Sequence, residues 1–482
     1  MRRSGKLLYL VLLAYPNGKA TAQCAGQAST PVAIADCAAS GTPSGKIDKL
    51  DPARAYTLAE LIDIAEHNNP RTRIIWERAK QKADQLGIER SAYYPILAGV
   101  AAFADERVIG PFPKPLAPLG YTLVTAQQLS EQVTLQYLIF DFGGRKARVD
   151  AAMAERIAAG ANFIQVNQEV AFRVSSSYYK LLTAQERLQA AEDTLKTAQT
   201  TQDSAEARLQ NGRATLPDVL NARAETAQAL FDRESADGDE KIARVSLTET
   251  IGVEPSPDIK IDAEKNTPLP ESLTMPIDAL IDRALSNRPD LMAQASEIRA
   301  ADDAIRAAKA EYKPRIVANG SAGETSLWPS TSYGQLGPAT AFTWAAEVAF
   351  EWRIFDGGAR KNEVAAAESR RRQAQNEMTE KHDQATREVW TAYIAFRTAL
   401  RKQEAAAALL EAANTSYSAS LDAYRYGVKN LIDVVTAEKQ LAQARLSSVS
   451  ARSQLFLEAV DLEFVTGNLL RSLPRATKPS TN

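Results

Sequence analysis

Residues 133–145 read VTLQYLIFDFGGR, and residues 348–360 read VAFEWRIFDGGAR. Each is a run of alternating residues that ends in Phe-Asp, then glycine, then arginine. Each leads into a long, alanine-rich polar segment. Asp141 and Asp356 stand 215 positions apart (356 − 141). The same spacing separates Gly212 from Gly427, Asp218 from Asp433 and Gly252 from Gly467. One offset kept along so much of the chain marks a duplicated unit.

The alternation within these stretches decides what they become. In the second copy Phe342, Trp344, Ala346, Val348, Phe350, Trp352 and Ile354 fall on one side of an extended chain, and Thr343, Glu347, Glu351 and Arg353 on the other. In the first copy Val133, Leu135, Tyr137 and Ile139 alternate with Gln132, Thr134 and Gln136. Residues 96–109 are poor in helix signals, and a breaker-rich loop precedes each alternating stretch, GPFPKPLAPLG at 110–120 and LWPSTSYGQLGP at 327–338. This predicts a strand hairpin in each half, four strands in all. The strands are about as long as a tilted strand needs to cross a bilayer. Four strands are too few to close a barrel, and hydrocarbon forbids open edges, so a membrane reading requires several chains to share one barrel. A half-buried soluble sheet is the alternative for the pattern taken alone.

Working outward, residues 145–209 lack proline and are dominated by Ala, Glu, Gln, Arg and Leu. A helix of about sixty residues would span on the order of 90 Å. Its counterpart runs from Arg360 to about Tyr426. Many apolar positions are only alanine, for instance Ala151, Ala152, Ala158 and Ala159, which lets neighbouring helices approach closely. Each long helix ends at a turn, RLQNGRATLPDVLNA at 208–222 and YRYGVKNLIDVVTA at 424–437. Glycine supplies the C-cap there, and Thr215 or Asn430 caps the return helix. A shorter helix with a Thr57–Glu60 capping box opens the first half and stops at Asn68-Asn69-Pro70; Asn287-Arg288-Pro289-Asp290 closes its equivalent in the second. Pro70 and Pro289, like Pro95 and Pro314, are 219 apart (289 − 70). The change from 219 to 215 places a four-residue length difference, and hence a tolerant surface loop, between Pro95 and Asp141.

The bulk composition sets limits. The net charge of −2 argues against a nucleic-acid partner. His67 and His382 are the only histidines and Cys24 and Cys37 the only cysteines, so neither a metal cluster nor a cofactor is expected. No nucleophile elbow, phosphate loop or paired catalytic carboxylates appear, and the chain is not expected to be an enzyme. Arg2, Arg3 and Lys6 precede a short apolar core, Leu7 to Tyr15, and Ala20-Thr21-Ala22 fits a cleavage site: residues 1–22 read as a secretory signal peptide. Residues 23–54 read as a flexible leader. Exposure to an oxidising compartment favours a Cys24–Cys37 disulfide, with free thiols or a lipidated Cys24 as the alternatives. The first structural repeat covers 55–252, a Pro-rich linker 253–276, the second repeat 277–470, and a polar tail 471–482.

Taken in order and twice over, FDFGGR and FDGGAR, NNP and NRPD, and NGRATLPDV and YGVKNLIDVV resemble the TolC-type outer-membrane efflux protein family over about residues 55–470. The resemblance implies a mostly α chain with a β-barrel part. Three copies give four strands each to a 12-stranded transmembrane β-barrel, continued across the periplasm by a hollow α-helical barrel. It implies an outer-membrane exit duct of a tripartite efflux pump or type I secretion system. Such a duct is a passive channel that works with a periplasmic adaptor and an inner-membrane transporter and is gated at its periplasmic tip. Carried over by position, Asp218, Tyr424 and Lys429 would form the gate latch and Asp433 a constriction ring. Lys429 stands where the family pattern has arginine, which removes the bidentate fork. Thr436 stands where a second aspartate is common, so the ring should be less acidic. Gly212, Leu216, Gly427 and Leu431 would lie at the tip that meets the adaptor. The plain reading of Asp218 and Asp433 is helix N-terminal acids that complement the dipole. The competing reading of the whole is a periplasmic coiled-coil scaffold that never enters the membrane.

Overall fold

The computed structural model describes residues 53–111, 118–262, 275–332 and 337–469, with a few beside them (32–33, 50–51, 113–114 and 334–335). The signal peptide, Cys24, Cys37 and the tail lie outside the described residues, as do most of the leader and much of the linker. In chain order the elements are β1 (Ala55–Tyr56), α1 (Leu58–Asn68), α2 (Pro70–Ser91), β2 (Ile96–Pro111), β3 (Tyr121–Phe140), α3 (Gly144–Gln210), α4 (Leu216–Ile251), β4 (Lys260–Ile261), α5 (Ile277–Asn287), α6 (Pro289–Ala310), β5 (Arg315–Thr331), β6 (Gly334–Gln335), β7 (Ala339–Glu351), α7 (Ala359–Arg425) and α8 (Leu431–Val465).

The four long strands form one antiparallel sheet in the order β2-β3-β5-β7, with β6 a two-residue return on β5. The order makes β2 and β7 the edges, and neither has a partner on its outer side among the described residues. Cross-strand partners share a face, so the register sorts the side chains. Leu97 and Phe103 of β2, Val133 and Leu135 of β3, Ala318 and Ala322 of β5, and Trp344 and Val348 of β7 fall together. On the opposite face are Thr134 and Gln132, Ser321 and Thr325, and Thr343 and Glu347. The polar face is tied by its own hydrogen bonds, Gln132 to Thr325 at 3.4 Å and Thr325 with Thr343 at 2.9 Å. Phe342, Trp344, Val348 and Phe350 are 66–73% exposed in a single chain, a contiguous apolar surface that water would not tolerate. Glu131 and Glu324 stand opposite each other on this face, at the row where apolar residues give way to polar ones on the inner strands. The hairpins confirm the length difference: Ile96 pairs with Gln136 and Arg315 with Glu351, so the four extra residues sit in the loop between β2 and β3.

β7 is shorter than its alternation implies. Its last paired residue is Glu351, so Trp352, Arg353 and Ile354 continue the pattern beyond the ladder. The Trp352 indole instead donates to the Tyr312 carbonyl at 3.2 Å. Each strand then enters its long helix through the same device. Gly143 and Gly358 cap α3 and α7 in the left-handed region, at φ 92° and 90°. Asp141 accepts from the Arg145 amide, and Asp356 from the Gly358 and Arg360 amides. Arg145 donates to the carbonyls of Ala92 and Leu138, and its guanidinium covers the Tyr93 ring at 4.5 Å. Arg360 repeats this over Tyr312 at 5.0 Å. Phe142 (φ 53°) occupies the left-handed site that Gly357 (φ 65°) fills in the second copy, and its ring packs on Phe140. The Phe-Asp-Gly stretches are thus strand-to-helix joints.

α3 and α7 each run 67 residues without interruption. α4 returns along α3 and α8 along α7, while α2 and α6 lie beside the sheet-proximal halves. α3 also packs against α8 and α6, so it joins the two repeats. Where the shorter helices meet the long ones, Leu61, Ile62, Val170, Val174, Leu181, Leu247 and Ile251 form a buried core. The capping box Thr57–Glu60 starts α1 as its sequence predicts. One feature of this belt has no sequence pattern: β1 pairs in parallel with β4, placing Lys260–Ile261 of the linker beside Ala55–Tyr56. No described helix is long and apolar enough to cross a membrane.

Gly252 closes α4 at φ 84°, where a Cβ would stand 2.9 Å from the Asn69 Cα. Gly212 has φ 69° but open space around it. Gly212→Ala should therefore cost only the left-handed penalty, about 1–2 kcal/mol. Gly252→Ala should cost more, because the Asn68-Asn69 turn has to move. Thermal midpoints of the two variants in detergent test this; equal losses would contradict the close approach.

Candidate functional site

The site expected from the sequence lies at the ends of α3 and α7 farthest from the sheet. There the turns at 211–215 and 426–430 reverse the chain into α4 and α8. Gly212 and Gly427 take left-handed φ angles of 69° and 81°, and their amides donate to the Leu209 and Tyr424 carbonyls at 2.9 Å. A buried layer of Val219, Ala222, Leu421, Tyr424, Leu431 and Val434 holds the two turns side by side.

Asp218 is the third residue of α4. Its carboxylate accepts from the Thr215 amide at 2.9 Å and the Thr215 hydroxyl at 2.7 Å. These bonds, first the backbone one, hold its pKa below the usual carboxylate value, and Arg208 adds to the effect. Asp433 sits at the matching position of α8, and its amide donates to the capping Asn430 side chain at 2.9 Å. Lys429 reaches the Ser420 hydroxyl at 3.3 Å. Within one chain, then, neither Asp218 nor Lys429 bonds Tyr424, and the two do not bond each other.

The residue that does hold Tyr424 is Arg208, which the sequence reading passed over. Its guanidinium lies over the Tyr424 ring at 4.4 Å, donates to the Tyr424 carbonyl, and reaches the Arg213 carbonyl at 3.3 Å. Tyr424 is 3% exposed, and burial pushes its hydroxyl pKa up. Arg208 thereby pins the end of α7 to the end of α3. A partly desolvated cation–π contact of this kind contributes about 1–2 kcal/mol.

The tip surface needs one correction. Leu431, expected to face a partner, is 3% exposed and belongs to the buried layer. At the start of a helix adjacent residues point roughly 100° apart, so its neighbour Ile432 is the exposed one, at 68%. Tyr426 (86%), Val428 (79%), Leu216 (59%) and Leu220 (53%) are exposed with it. Isolated exposed apolar residues are ordinary, but five on adjoining turns form a patch.

Both halves of the chain match the family model described as outer membrane efflux protein, over residues 61–253 and 280–468. The chain belongs to this family. Among curated relatives, it is 26% identical to Protein CyaE of Bordetella pertussis over 437 residues, covering 89% of this chain and 86% of that one. It is 25% identical to outer membrane protein OprJ of Pseudomonas aeruginosa over 433 residues, covering 88% and 87%. A 24% match joins it to the cobalt-zinc-cadmium resistance protein CzcC of Cupriavidus metallidurans, over 67% of this chain and 74% of that one. Among solved structures, a membrane protein from Pseudomonas aeruginosa superposes with TM-score 0.73 at 24% identity over 89% and 98% of the chains. The outer-membrane channel OprN gives TM-score 0.70 at 18% identity over 89% and 95%. The fold is therefore that of the family's trimeric channels, mostly helical with a barrel-forming sheet. The protein is an outer-membrane exit duct, a transport protein and not a periplasmic scaffold.

Asp218 contributes to the tip while ionised. Its folded pKa is depressed, so the contribution is present above the ordinary carboxylate value near 4 and is lost as pH falls through the folded pKa. At pH 7.5 the variant Asp218→Asn should loosen the turn and speed tryptic cleavage after Arg213. Unchanged cleavage would show that the Thr215 bonds do not hold the turn.

Proposed function

We propose that three copies of this chain share one barrel and form an efflux or secretion duct that is closed at the helical tips and opened there by a periplasmic adaptor. The observation that carries this reading is the sheet: four antiparallel strands with one apolar and one polar face, and two edges without a partner among the described residues. In hydrocarbon the edge amides and carbonyls need partners, and the next copy's edge supplies them. The polar face, with Gln132, Thr134, Ser321, Thr325 and Glu347, then lines the lumen.

At the tip, the carboxylate of Asp218 and the ammonium of Lys429 have no bond to each other within a chain, and both are accessible to a neighbouring copy. We assign them to a latch between copies, beside the Arg208–Tyr424 contact within each copy. Lysine keeps the charge but not the fork of arginine, so this latch is weaker than a bidentate pair. Asp433 would form a three-fold carboxylate ring that concentrates cations, with Thr436 one turn on in place of a second acid. The patch around Leu216, Tyr426, Val428 and Ile432 would meet the adaptor, whose partner is an inner-membrane transporter.

In planar bilayers the wild-type duct should conduct poorly, and Asp218→Ala combined with Lys429→Ala should raise its conductance several-fold. Arg208→Ala should raise it as well, by freeing α7 from α3. Unchanged conductance in both variants would remove the latch while leaving the fold intact.

A further inference from the structure

We infer from the internal repeat which residues join one copy to the next along the helices. The inference rests on the three-copy reading and goes beyond it by naming the contacts. Within a chain, α3 is flanked on one side by α4 and on the other by α8. Its counterpart α7 has α8 on one flank and, along its tip half, an open face on the other. α4, the counterpart of α8, lies on α3 and leaves its outer face open. When copies are arranged in a ring, the face of α7 meets α4 of the next copy. That seam repeats the α3–α8 contact with every residue moved by 215 positions.

The middle of the α3–α8 face carries four polar side-chain contacts. Glu186 pairs with Arg452 at 3.5 Å. Arg187 donates to the Ser450 hydroxyl at 3.2 Å, Thr183 bonds Ser453, and Arg445 donates to Thr194 and Thr197 at 3.3 Å. Carried across the repeat, the ion pair becomes Arg401 against Asp237 of the next copy, with the charges exchanged. The Arg187–Ser450 contact becomes Lys402 against Ser235, again a base on a serine. Thr183–Ser453 becomes Thr398 against Gly238. Arg445 on Thr194 becomes Leu230 on Leu409, polar replaced by apolar on both sides. The ion pair, the base on a serine and the apolar pair keep the two surfaces complementary at three of the four positions, and Gly238 leaves open space opposite Thr398.

The single chain shows these residues waiting for partners. Arg401, Lys402, Thr398 and Ser235 are exposed. Leu230 and Leu409 are 49% and 51% exposed. Gly238 interrupts α4 with nothing within 4 Å of the place its Cβ would take, although glycine within a helix costs about 1 kcal/mol against alanine. Asp237 holds Lys241 of its own helix at 2.7 Å, an exposed pair that contributes little. An arginine from the next copy would join this carboxylate from the seam side. The same mapping closes the barrel: the Val133↔Ala322 pairing becomes Val348 opposite Phe103 of the next copy, both on the apolar face.

The full-length protein, with Cys24 and Cys37 changed to serine, provides the test. Thr398→Cys with Gly238→Cys should give covalent dimers and trimers on oxidation, reversed by reductant. The control, Thr183→Cys with Ser453→Cys, should give only bridged monomers. In parallel, Arg401→Asp and Asp237→Arg should each lower the temperature at which the detergent-solubilised trimer dissociates, and the two together should restore most of the loss. A trimer by native mass that shows neither the interchain disulfide nor the rescue overturns the seam and leaves the three-copy reading standing. A monomer by native mass, before any substitution, overturns the three-copy reading itself.

Discussion

Every backbone amide and carbonyl placed in hydrocarbon needs a partner, and a four-stranded sheet leaves two rows of them unpaired. This requirement shapes the whole molecule. It forces the strands of several chains into one closed ladder, and the closed ladder fixes where the helices that follow must start. The Asp-Gly-Arg joints at 141–145 and 356–360 lead β3 and β7 directly into the long helices, and in the first copy the arginine is bonded to the Leu138 carbonyl of β3 and the Ala92 carbonyl at the end of α2. A ring of strands therefore continues as a ring of helices.

The helices are held by close approach and by polar contacts that fix register, more than by a thick apolar core. Alanine fills much of the buried face of α3, including Ala158, Ala161, Ala171, Ala198 and Ala205. Near the tip Glu438 of α8 is buried and bonds Thr201 of α3 at 2.9 Å, and burial raises its pKa. A buried carboxyl adds little net stability, but its bond to one threonine discriminates against slippage of α8 along α3. The tip is a different kind of joint, because there Arg208 ties the end of α3 to the end of α7 through the Tyr424 ring and carbonyl.

Much of this is written in local sequence. The constant offset shows the repeat, the alternation shows the strands, and Thr57, Asn430 and the turn glycines show the helix ends. What escaped the sequence depends on contacts between distant segments or on facing at single-residue precision. Arg208 looks like any helical arginine until the fold brings it to Tyr424. Leu431 and Ile432 are equivalent in pattern, and only packing against Val219 and Tyr424 selects which is buried. The apolar alternation runs past Glu351 because it reports facing, whereas the ladder ends where hydrogen bonds end. β1 and β4 are two residues each, too short for any period to show.

The most direct test of the closed ladder is amide hydrogen exchange of the protein in lipid, read strand by strand. β3 and β5 already have partners on both sides. The outward amides of β2 and β7 should be protected as strongly as those of β3 and β5, because the neighbouring copy pairs with them. Rapid exchange along the outer rows of β2 and β7, with β3 and β5 protected, would show an open sheet and contradict the shared barrel.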